Sequence, residues 1–384
     1  MSDSIADDDE LPGKPEGPLR KGWTTGACAA AGAKAAFSAL ATGDFPDPVT
    51  ILLPGGQTPA FALAREDSGP GWAMAAIVKD AGDDPDVTHG AVIETTVRLG
   101  TAGDGISYKA GDGVGMVTRA GLPIAPGEPA INPGPRGMIE TALAEVSEET
   151  GAAADVEIEI AIPGGAEIAE KTWNPRLGIV GGLSILGTTG IVVPYSCAAW
   201  IHSIHRGIDV ARAAGIQHVA GSTGARSEQT VAAHHDLPLI ALLDMGDFAG
   251  GMLKYLRQHP IQRVTIAGGV AKMTKLAQGF LDLHSRKGAV DKQALADTAR
   301  LCGGDEALAG RIAGSNTTAE AFAHAGAASI ALGDRIAADG QETALKALGK
   351  AGIDLEVLVI DRAGRIVGRA PFSHPEPPGQ TGQN

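Results

Sequence analysis

Apolar residues follow two different periods along the chain, and the change between them divides it. Between residues 49 and 162 they fall in short extended runs, and 156–160 alternates strictly with glutamate, as a half-exposed strand does. After Ser196, short apolar runs alternate with helical periods, which is typical of parallel strands joined by helices. The pattern predicts an α+β domain followed by an α/β domain that has a mainly parallel sheet with helices on both faces.

The predicted organisation follows from these patterns and from local composition. Residues 1–18 are acidic and contain prolines, which predicts a disordered tail, and residues 19–172 form the α+β domain. Residues 173–370 form the α/β domain, which opens with a glycine-rich junction at 173–196. Residues 371–384 are rich in proline and glycine, and we expect them to be a loose tail.

The junction 173–196 is the most unusual stretch of the chain. It holds five glycines among leucine, isoleucine and valine, and no charged residue lies between Arg176 and Arg206. The apolar residues indicate a buried backbone, whereas the glycines indicate sharp turns or the close approach of another group. Two interpretations remain open: a loop that faces a ligand, or a tight domain junction with a close-packed backbone.

A helix is predicted from Thr24 or Thr25 to about Ala41, with a threonine as its cap. Free N–H groups at such a start can hold an anion, and the helix dipole favours a thiolate at Cys28. The alternatives are that the threonines serve only as caps and that Cys28 is a small buried residue. The three cysteines show neither a CxxC pair nor zinc-ligand spacing, which suits a reducing cytoplasm.

Four carboxylates lie between residues 80 and 86, directly after a predicted strand. They can ligate a hard cation, but their spacing is not that of an EF-hand, and Asp, Gly and Pro also form ordinary turns. We favour a turn or a ligand-contact loop over a metal site, and we expect no protein-bound metal.

Three loops follow consecutive strands of the predicted parallel sheet, at 221–226, 244–247 and 268–274. Ligands of such sheets bind beyond the carboxyl ends of the strands. None of the loops has the spacing of a Walker A motif, and each alone is compatible with a plain turn between strand and helix. Three Gly- or Asp-bearing loops on one edge nevertheless favour a ligand site.

Charge and composition exclude several classes of function. The net charge is -14, with no basic excess, which argues against a nucleic-acid binder. Apolar runs are broken by glycines and polar residues, so no membrane span is expected, and the acidic N-terminus is unlike a signal peptide. An anionic ligand would therefore need local cations, because the overall field of the protein repels it.

Several longer stretches together resemble one known family, from residue 19 to about residue 285 and in family order. They read LRKGWTTGACAAAGAKAA, VKDAGDDPDVTHG, AGDGVGMVTRAGLPIAPGEPAINPGPR, NPRLGIVGGLSILGTTGIVVPYS and GGVAKMTKLAQGFLDLHS. On these stretches the chain resembles the cobalt-precorrin-5B (C1)-methyltransferases of cobalamin biosynthesis. After residue 290 the resemblance lies in pattern more than in motif.

The resemblance implies a reaction. A methyl group passes from S-adenosylmethionine to C1 of cobalt-precorrin-5B, in the anaerobic branch of the pathway, giving cobalt-precorrin-6A and S-adenosylhomocysteine. Cobalt then belongs to the substrate alone. The expected partners are the anionic tetrapyrrole, neighbouring enzymes of the pathway and a second copy of the chain, with no nucleic acid and no membrane, in the cytoplasm.

The expected site residues follow from this reaction and from the three loops. Cations and neighbouring positions are expected to meet the macrocycle and its carboxylates: Arg20, Lys21, Thr24, Thr25, Arg119, Arg136, Arg176, Gly181, Gly182, Thr188, Thr189 and Arg226. The methyl donor is expected at Gly221, Ser222, Thr223, Gly224, Asp244, Asp247, Gly268 and Gly269. The carboxylate of Asp244 or Asp247 would take the ribose hydroxyls, and Asp83 is the expected general base if the reaction uses one.

Two other classes of function stay open on the sequence. A non-enzymatic corrinoid carrier or chaperone would bind the macrocycle but not S-adenosylmethionine. A nucleotide-dependent enzyme would use the loop at Gly221 for phosphate, although the lysine of a Walker motif is missing. Binding of S-adenosylhomocysteine separates the methyltransferase from both.

Overall fold

The structure is a computed structural model that describes residues 17–285 and 288–373. These residues form two compact units that divide after Cys197. Residues 17–197 are called the N-terminal unit and the described residues from 198 onward the C-terminal unit, and each is described by itself. No helix among the described residues is both long enough and apolar enough to cross a bilayer.

The predicted domain limits differ from these units at two places. The glycine-rich junction 173–196 belongs to the N-terminal unit, because its two short strands pair with strands of that unit. The last strand of the chain continues to Ser373, so the first residues of the predicted loose tail are part of a sheet. The rest of the two predicted tails, 1–16 and 374–384, lies outside the described residues.

The N-terminal unit contains a mixed sheet flanked by helices. Its strands are β1 (Gly22–Trp23), β2 (Val49–Thr50), β3 (Ala60–Phe61), β4 (Arg65–Gly69), β5 (Trp72–Val78), β6 (Val92–Leu99), β7 (Ile106–Ala110), β8 (Met116–Val117), β9 (Val156–Ala161), β10 (Ile179–Val180) and β11 (Ile191–Val192). Its helices are α1 (Thr25–Thr42), α2 (Pro133–Thr150), α3 (Gly165–Ala169) and α4 (Asn174–Leu177). Five strands form a sheet in the order β4-β5-β6-β9-β7, in which β7 and β9 are parallel and the other pairs antiparallel.

Helix α1 packs directly on this sheet, and α2 packs on α1. The approach is close because α1 consists largely of alanine and glycine. A Cβ atom on Gly32 would lie 2.9 Å from Thr95 Oγ1, and the Thr95 hydroxyl donates a hydrogen bond of 3.2 Å to the Ala29 carbonyl. Small side chains therefore allow the helix to bury its length against the sheet, and this contact forms the core of the unit.

The C-terminal unit contains a mainly parallel sheet. Its strands are β12 (His218–Ser222), β13 (Leu242–Asp244), β14 (Arg263–Gly269), β15 (Asp354–Ile360) and β16 (Ile366–Ser373). Its helices are α5 (Cys197–Ala213), α6 (Ala225–His235), α7 (Ala249–Gln258), α8 (Val270–Ala277), α9 (Lys292–Leu301), α10 (Glu306–Ala313), α11 (Thr318–Ala327) and α12 (Leu332–Leu348), with a 3-10 turn at Leu239–Ala241. The strand order is β13-β12-β14-β15-β16, and β16 runs antiparallel to β15 while the other pairs are parallel.

Helices lie against both faces of this sheet. On one face, Val231 of α6 shares a core with Ala220 and Leu358. On the other face, a Cβ atom on Gly221 would lie 2.4 Å from the sulfur of Met252 in α7. Successive residues of a strand point to opposite faces of the sheet. The contact at Ala220 therefore places α6 on one face, and the contact at Gly221 places α7 on the other.

Three helical elements differ from the sequence expectations. The helical pattern predicts a helix from about Lys272 to His284, but α8 ends at Ala277, and Gly279, with φ +91°, follows its end. Helices α10 and α12 were not predicted. Glycine weakens the helical pattern of α12, but Gly333 is needed there, because a Cβ atom on it would lie 1.8 Å from the Val367 carbonyl oxygen of β16.

Candidate functional site

The three predicted loops lie side by side at the carboxyl edge of the C-terminal sheet. In the parallel registers Ser222 is opposite both Asp244 and Ala267, so the strands end at the same level. The Thr223 N–H donates to the Ala267 carbonyl at 3.0 Å, and the Gly246 N–H donates to the Ser222 carbonyl at 3.1 Å. We call residues 221–224, 244–247 and 268–272 the rim.

Two polar atoms of the rim are buried and make no hydrogen bond, namely Ser222 Oγ and Asp247 Oδ1. Buried polar atoms in folded proteins are nearly always paired, since an unpaired one loses its hydration without compensation. Ser222 is only 1% exposed. Unsatisfied atoms of this kind on a strand edge mark a position where a ligand can supply the missing partners.

The two glycines after β14 have different surroundings. A Cβ atom on Gly268 would lie 2.6 Å from Met273 Cε and 2.9 Å from Thr223 Oγ1, so this residue is required for packing. No heavy atom lies within 4 Å of a Cβ placed on Gly269. Gly269 is also the N-cap of α8, where no side chain caps the helix. Gly269 therefore borders open space at the start of a helix.

The rim includes two contacts that sequence reasoning missed. Lys272 donates from Nζ to the Thr223 carbonyl at 3.0 Å, and the same nitrogen lies 3.5 Å from Asp247 Oδ1. Trp200 of α5 donates from Nε1 to the Asp244 carbonyl at 3.1 Å. The place of Lys272 in the first turn after a Gly-Gly pair was a usable signal, whereas nothing local links Trp200 to Asp244.

In the N-terminal unit, several predicted substrate residues meet at the start of α1. The Leu186 N–H donates to Thr25 Oγ1 at 3.0 Å, and the Thr24 N–H donates to the Gly190 carbonyl at 3.0 Å. A Cβ atom on Gly187, whose φ is +117°, would lie 2.4 Å from Thr24 Cβ. The segment 186–190, which contains Thr188 and Thr189, thus lies against both threonines.

This packing favours the cap over an anion held by free N–H groups in the first turn of α1. The Thr24 hydroxyl accepts from the Ala27 N–H at 3.2 Å, as an N-cap does. The Gly26 N–H donates to the Leu186 carbonyl at 3.0 Å. Both donors are already used inside the unit, so the threonines act as a cap and as a contact to the junction.

Cys28 is the small buried residue that the alternative interpretation described. It is fully buried in the helix-sheet core. Burial raises the pKa of its thiol to about 12, although the charge of Lys79 acts in the opposite direction. The thiol is therefore protonated at neutral pH, and of the two interpretations the structure supports the small buried residue and not the thiolate.

The carboxylates of residues 80–86 are directed to different partners. Asp83 accepts from the Arg20 N–H at 2.6 Å, and Asp80 pairs with the guanidinium of Arg20. Asp84 accepts from the Tyr195 N–H at 2.7 Å, and burial raises its pKa above the ordinary value. Because each of them has a partner within the unit, they form a structured contact loop.

The fourth of these carboxylates, Asp86, forms a buried ion pair. Its Oδ2 lies 2.6 Å from the Nζ of Lys79, a lysine whose side chain is 2% exposed. Burial pushes the pKa of Asp86 upward, but the charge and hydrogen bond of Lys79 and the bonds from Thr88 outweigh it, and the pKa lies below its ordinary value. This pair anchors the loop to the end of β5.

The predicted cations divide into engaged and available groups. Arg20 is paired with Asp80, and Arg136 is paired with Glu128 at 2.7 Å while its guanidinium lies over the Tyr108 ring. Arg176 is also engaged, and its guanidinium lies over the Trp173 ring. The available cations are exposed and form no ion pair with other described residues: Lys21, Arg119 and Arg226.

The two junction glycines that were expected to contact substrate differ in their surroundings, since one is closely packed and the other borders open space. A Cβ atom on Gly182 would lie 2.2 Å from the Gly113 carbonyl oxygen, so Gly182 permits backbone packing. Gly181 has φ +88°, with no heavy atom within 4 Å of a Cβ. Close packing therefore explains Gly182, and the position of Gly181 is open to a ligand.

A group with metal-ligating side chains also occurs in the C-terminal unit, where ligand atoms of His234, His235 and Glu356 lie within 4.8 Å of one another. Glu356 is completely buried, and both of its oxygens are engaged. Arg369 donates to Oε1 at 2.9 and 2.8 Å, while Thr265 donates to Oε2 at 2.9 Å and His235 contacts the same oxygen. The group is a satisfied hydrogen-bond network between α6 and the sheet.

The fold and the rim define a class, that of α/β proteins in which loops meet at the carboxyl edge of a mainly parallel sheet. Comparison with known families then gives the assignment. The CbiD model matches residues 13–194, and the model of the CbiD C-terminal domain matches residues 282–371. The chain belongs to the CbiD family, and the resemblance seen in the sequence is confirmed.

Similar proteins include two curated relatives, each named cobalt-precorrin-5B C(1)-methyltransferase. The relative from Halorhodospira halophila is 62% identical, over 92% of this chain and 94% of its own length. The relative from Agrobacterium fabrum is 59% identical, over 94% of this chain and 96% of its own length. A solved structure, of the cobalamin biosynthesis protein (cbiD) from Archaeoglobus fulgidus, is 26% identical, covers 66% of this chain and 78% of that chain, and has a TM-score of 0.38.

Proposed function

We propose that this protein transfers a methyl group from S-adenosylmethionine to C1 of cobalt-precorrin-5B. The observation that carries the proposal is the 62% identity to a cobalt-precorrin-5B C(1)-methyltransferase, over 92% of this chain. The donor supplies a methyl group that its sulfonium already activates. Cobalt enters only as part of the tetrapyrrole.

The protein contributes alignment and exclusion of water. Holding two reactants in line can lower the activation barrier by roughly 7–11 kcal/mol, because the entropy of bringing them together is lost on binding and not in the reaction step. A site that excludes water also protects the reactive methyl group from hydrolysis. Both tasks require rigid backbone, which closely packed glycines such as Gly182 and Gly268 provide.

We place the donor at the rim of the C-terminal unit. Three observations support this placement: the unpaired Ser222 Oγ, the unpaired Asp247 Oδ1 and the open space at Gly269. A molecule with a ribose diol and an amino-acid end offers the donors and acceptors that these atoms lack. Asp244 or Asp247 would accept from the ribose hydroxyls, and Gly221, Thr223, Gly224 and Gly268 would shape the loops around it.

For the tetrapyrrole, the exposed cations without ion pairs are the strongest proposed contacts. Lys21, Arg119 and Arg226 can meet a carboxylate without breaking an existing pair. Arg20 and Arg136 would have to exchange Asp80 and Glu128 for the substrate, so they are weaker proposals. Thr188, Thr189, Gly181 and Arg176 remain proposed contacts.

Asp83 remains our proposed base if the reaction needs one, and its neighbour Asp84 is a second proposal. Asp83 is exposed and accepts from a backbone N–H. Asp84 is partly buried, and burial raises its pKa, which brings a carboxylate closer to the range in which general bases operate. Replacing each by asparagine separates them, since only loss of the base would lower turnover without weakening binding of the tetrapyrrole.

The first experiment is anaerobic incubation with methyl-labelled S-adenosylmethionine and cobalt-precorrin-5B. We expect label at C1 of the tetrapyrrole and one S-adenosylhomocysteine for each methyl group transferred. Tight binding of the macrocycle, without transfer and without binding of S-adenosylhomocysteine, would instead favour a corrinoid carrier.

Gly269→Val tests the rim as the donor site. No atom lies within 4 Å of the position of the new Cβ, and the backbone is extended with φ -64°, so folding should be unaffected. We expect the affinity for S-adenosylhomocysteine to fall more than about tenfold, which corresponds to ~1.4 kcal/mol. Thermal unfolding without ligand is the control, and an unchanged affinity would move the donor away from Gly269.

A further inference from the structure

Asp247 and Lys272 bring opposite charges together at one end of the rim. Asp247 follows β13, and Lys272 lies in the first turn of α8, which follows β14. These strands flank β12 on either side, so both loops open at the same edge. The Lys272 Nζ to Asp247 Oδ1 distance is 3.5 Å.

This pair is incomplete as a hydrogen-bonded ion pair. A separation of 3.5 Å is longer than a charged N–H···O bond, and Asp247 Oδ1 is buried without any hydrogen bond. The Asp247 side chain is 21% exposed, so part of it contacts solvent while Oδ1 is buried. A partly exposed carboxylate with one unsatisfied oxygen is suited to a cationic donor group.

Lys272 has unused hydrogen-bond donors, whereas Asp247 has an unused acceptor. Its ammonium carries three N–H donors, and the Thr223 carbonyl takes one of them at 3.0 Å. The adjacent start of α8 has neither a side-chain cap nor an acidic residue in its first turn, and Gly269 leaves space beside it. Lys275, the next lysine along α8, is engaged by the Leu283 carbonyl at 3.0 Å. Of the two lysines of α8, Lys272 is therefore the one that remains for an anionic group.

We infer that Asp247 and Lys272 together bind the amino-acid end of the methyl donor, with the α-ammonium on Asp247 and the α-carboxylate on Lys272. The ammonium and carboxylate of an α-amino acid share one carbon atom and lie side by side, as these two side chains do. Asp244 is then left for the ribose. This inference rests on the proposed function, since it specifies how the same donor is held.

The test compares two ligands that differ in this end alone, on the full-length protein by calorimetry. S-adenosylhomocysteine carries the amino-acid end, and 5′-deoxy-5′-methylthioadenosine lacks it. We expect the wild type to prefer S-adenosylhomocysteine. Asp247→Asn and Lys272→Met should each weaken its binding by about 10–100-fold, which is typical of a lost hydrogen bond to a charged group. Affinity for methylthioadenosine should stay within about twofold.

Lys254→Met is the matched control, because Lys254 is an exposed lysine of the neighbouring helix α7 and lies outside the rim. Lys272→Arg keeps the positive charge and should recover part of the preference, which separates charge recognition from loss of the bond to Thr223. Equal losses for both ligands in Asp247→Asn and Lys272→Met, or no loss for either, would overturn the inference while leaving the donor site in place. A wild type that binds neither ligand would overturn the proposed donor and this inference together.

Discussion

Buried polar side chains of this protein differ in whether their hydrogen bonds are complete. Glu356 is completely buried, and Arg369 and Thr265 satisfy its oxygens together with a histidine. Ser222 Oγ and Asp247 Oδ1 are buried and unsatisfied. Complete networks stabilise a fold, whereas the unsatisfied atoms at the rim are positions where a ligand can supply the missing hydrogen bonds.

Chemical labelling tests the state of Cys28. Its thiol is fully buried with a pKa raised to about 12 by burial, whereas Cys197 is exposed. Iodoacetamide at pH 8 should therefore label Cys197 in the native protein and Cys28 only after denaturant is added, as read by mass spectrometry of peptides. Native labelling of Cys28 at the rate of Cys197 would show that the thiol is accessible and ionised.

His218 should make stability depend on pH below neutrality. Burial, with the neighbouring His235, lowers its pKa to about 4, from an ordinary value near 6.5. Between those values the unfolded chain binds more protons than the folded one. The stabilisation is therefore present above about pH 6.5 and is lost as the pH falls toward 4, by about 2–3 kcal/mol.

Urea unfolding across pH 4–7 compares the stability of the wild type with that of His218→Gln. In the wild type a ring nitrogen of His218 lies 2.8 Å from the Thr265 hydroxyl. Glutamine cannot titrate, but it can still form a hydrogen bond to this hydroxyl. We expect the slope of stability against pH in this window to become flatter in the variant. A slope identical to that of the wild type would assign the acid sensitivity to other groups.

Among the secondary-structure elements, the glycine-rich junction illustrates how backbone contacts replace side-chain packing. Strand β10 pairs with β8, and β11 pairs with β1, so the junction joins distant parts of the N-terminal unit. The Asn174 side chain donates to the Gly182 carbonyl at 3.0 Å and fixes the turn between them. The junction is thus an integral part of the N-terminal fold.

Two glycine substitutions test this packing. In Gly182→Ala the new methyl group would lie 2.2 Å from the Gly113 carbonyl oxygen, so we expect a loss of about 2–3 kcal/mol or more. Gly137 of α2 has no heavy atom within 4 Å of a Cβ, and Gly137→Ala should raise stability by about 0.5–1 kcal/mol. Equilibrium unfolding of both variants gives the comparison, and equal stability of the two would rule out close packing at Gly182.

On the scale of the whole molecule, an acidic protein is expected to bind an acidic substrate. With a net charge of -14, attraction must come from local cations such as Lys21, Arg119 and Arg226. The two compact units keep separate cores.

Hydrogen exchange can locate the donor site within the chain. If the rim binds S-adenosylhomocysteine, saturating ligand should slow exchange in peptides that cover 221–224, 244–247 and 268–272. Binding stabilises the conformation that it selects, so an excess of about 100-fold over Kd adds ~2.7 kcal/mol against opening. Protection confined to residues 17–197 would contradict the placement of the donor. Methylthioadenosine serves as the comparison for the amino-acid end.

Much of the fold could be predicted from local patterns. The strict alternation at 156–160 lies within β9, and the short apolar runs after residue 196 contain β12, β14 and β15. The missed elements have physical reasons. Helix α12 carries glycines that lower its helical signal but serve its contact with β16, and α8 stops early beside a glycine in the left-handed region.

The site could be predicted only in part. The three loops of the rim were identified, because strand order in a parallel sheet places successive carboxyl ends on one edge. Their partners were not identified, since Trp200 and Asp244 are 44 positions apart and meet only through folding. The choice between a cap and an anion site at the start of α1 stayed open for a similar reason, because the Leu186 carbonyl that accepts from the Gly26 N–H lies 160 positions from Gly26.

The sequence by itself determined the types of element, the family and the three loops that follow the parallel strands, because periodicity, capping and motifs are local properties of the chain. Only the tertiary structure decided which buried polar atoms are hydrogen-bonded and which are unsatisfied. Pairing depends on groups that are distant in sequence, as with Asp84 and Tyr195 or Lys272 and Asp247. A residue such as Asp247 is therefore recognisable as an aspartate in a loop from the sequence, but as an unsatisfied buried acceptor only from the fold.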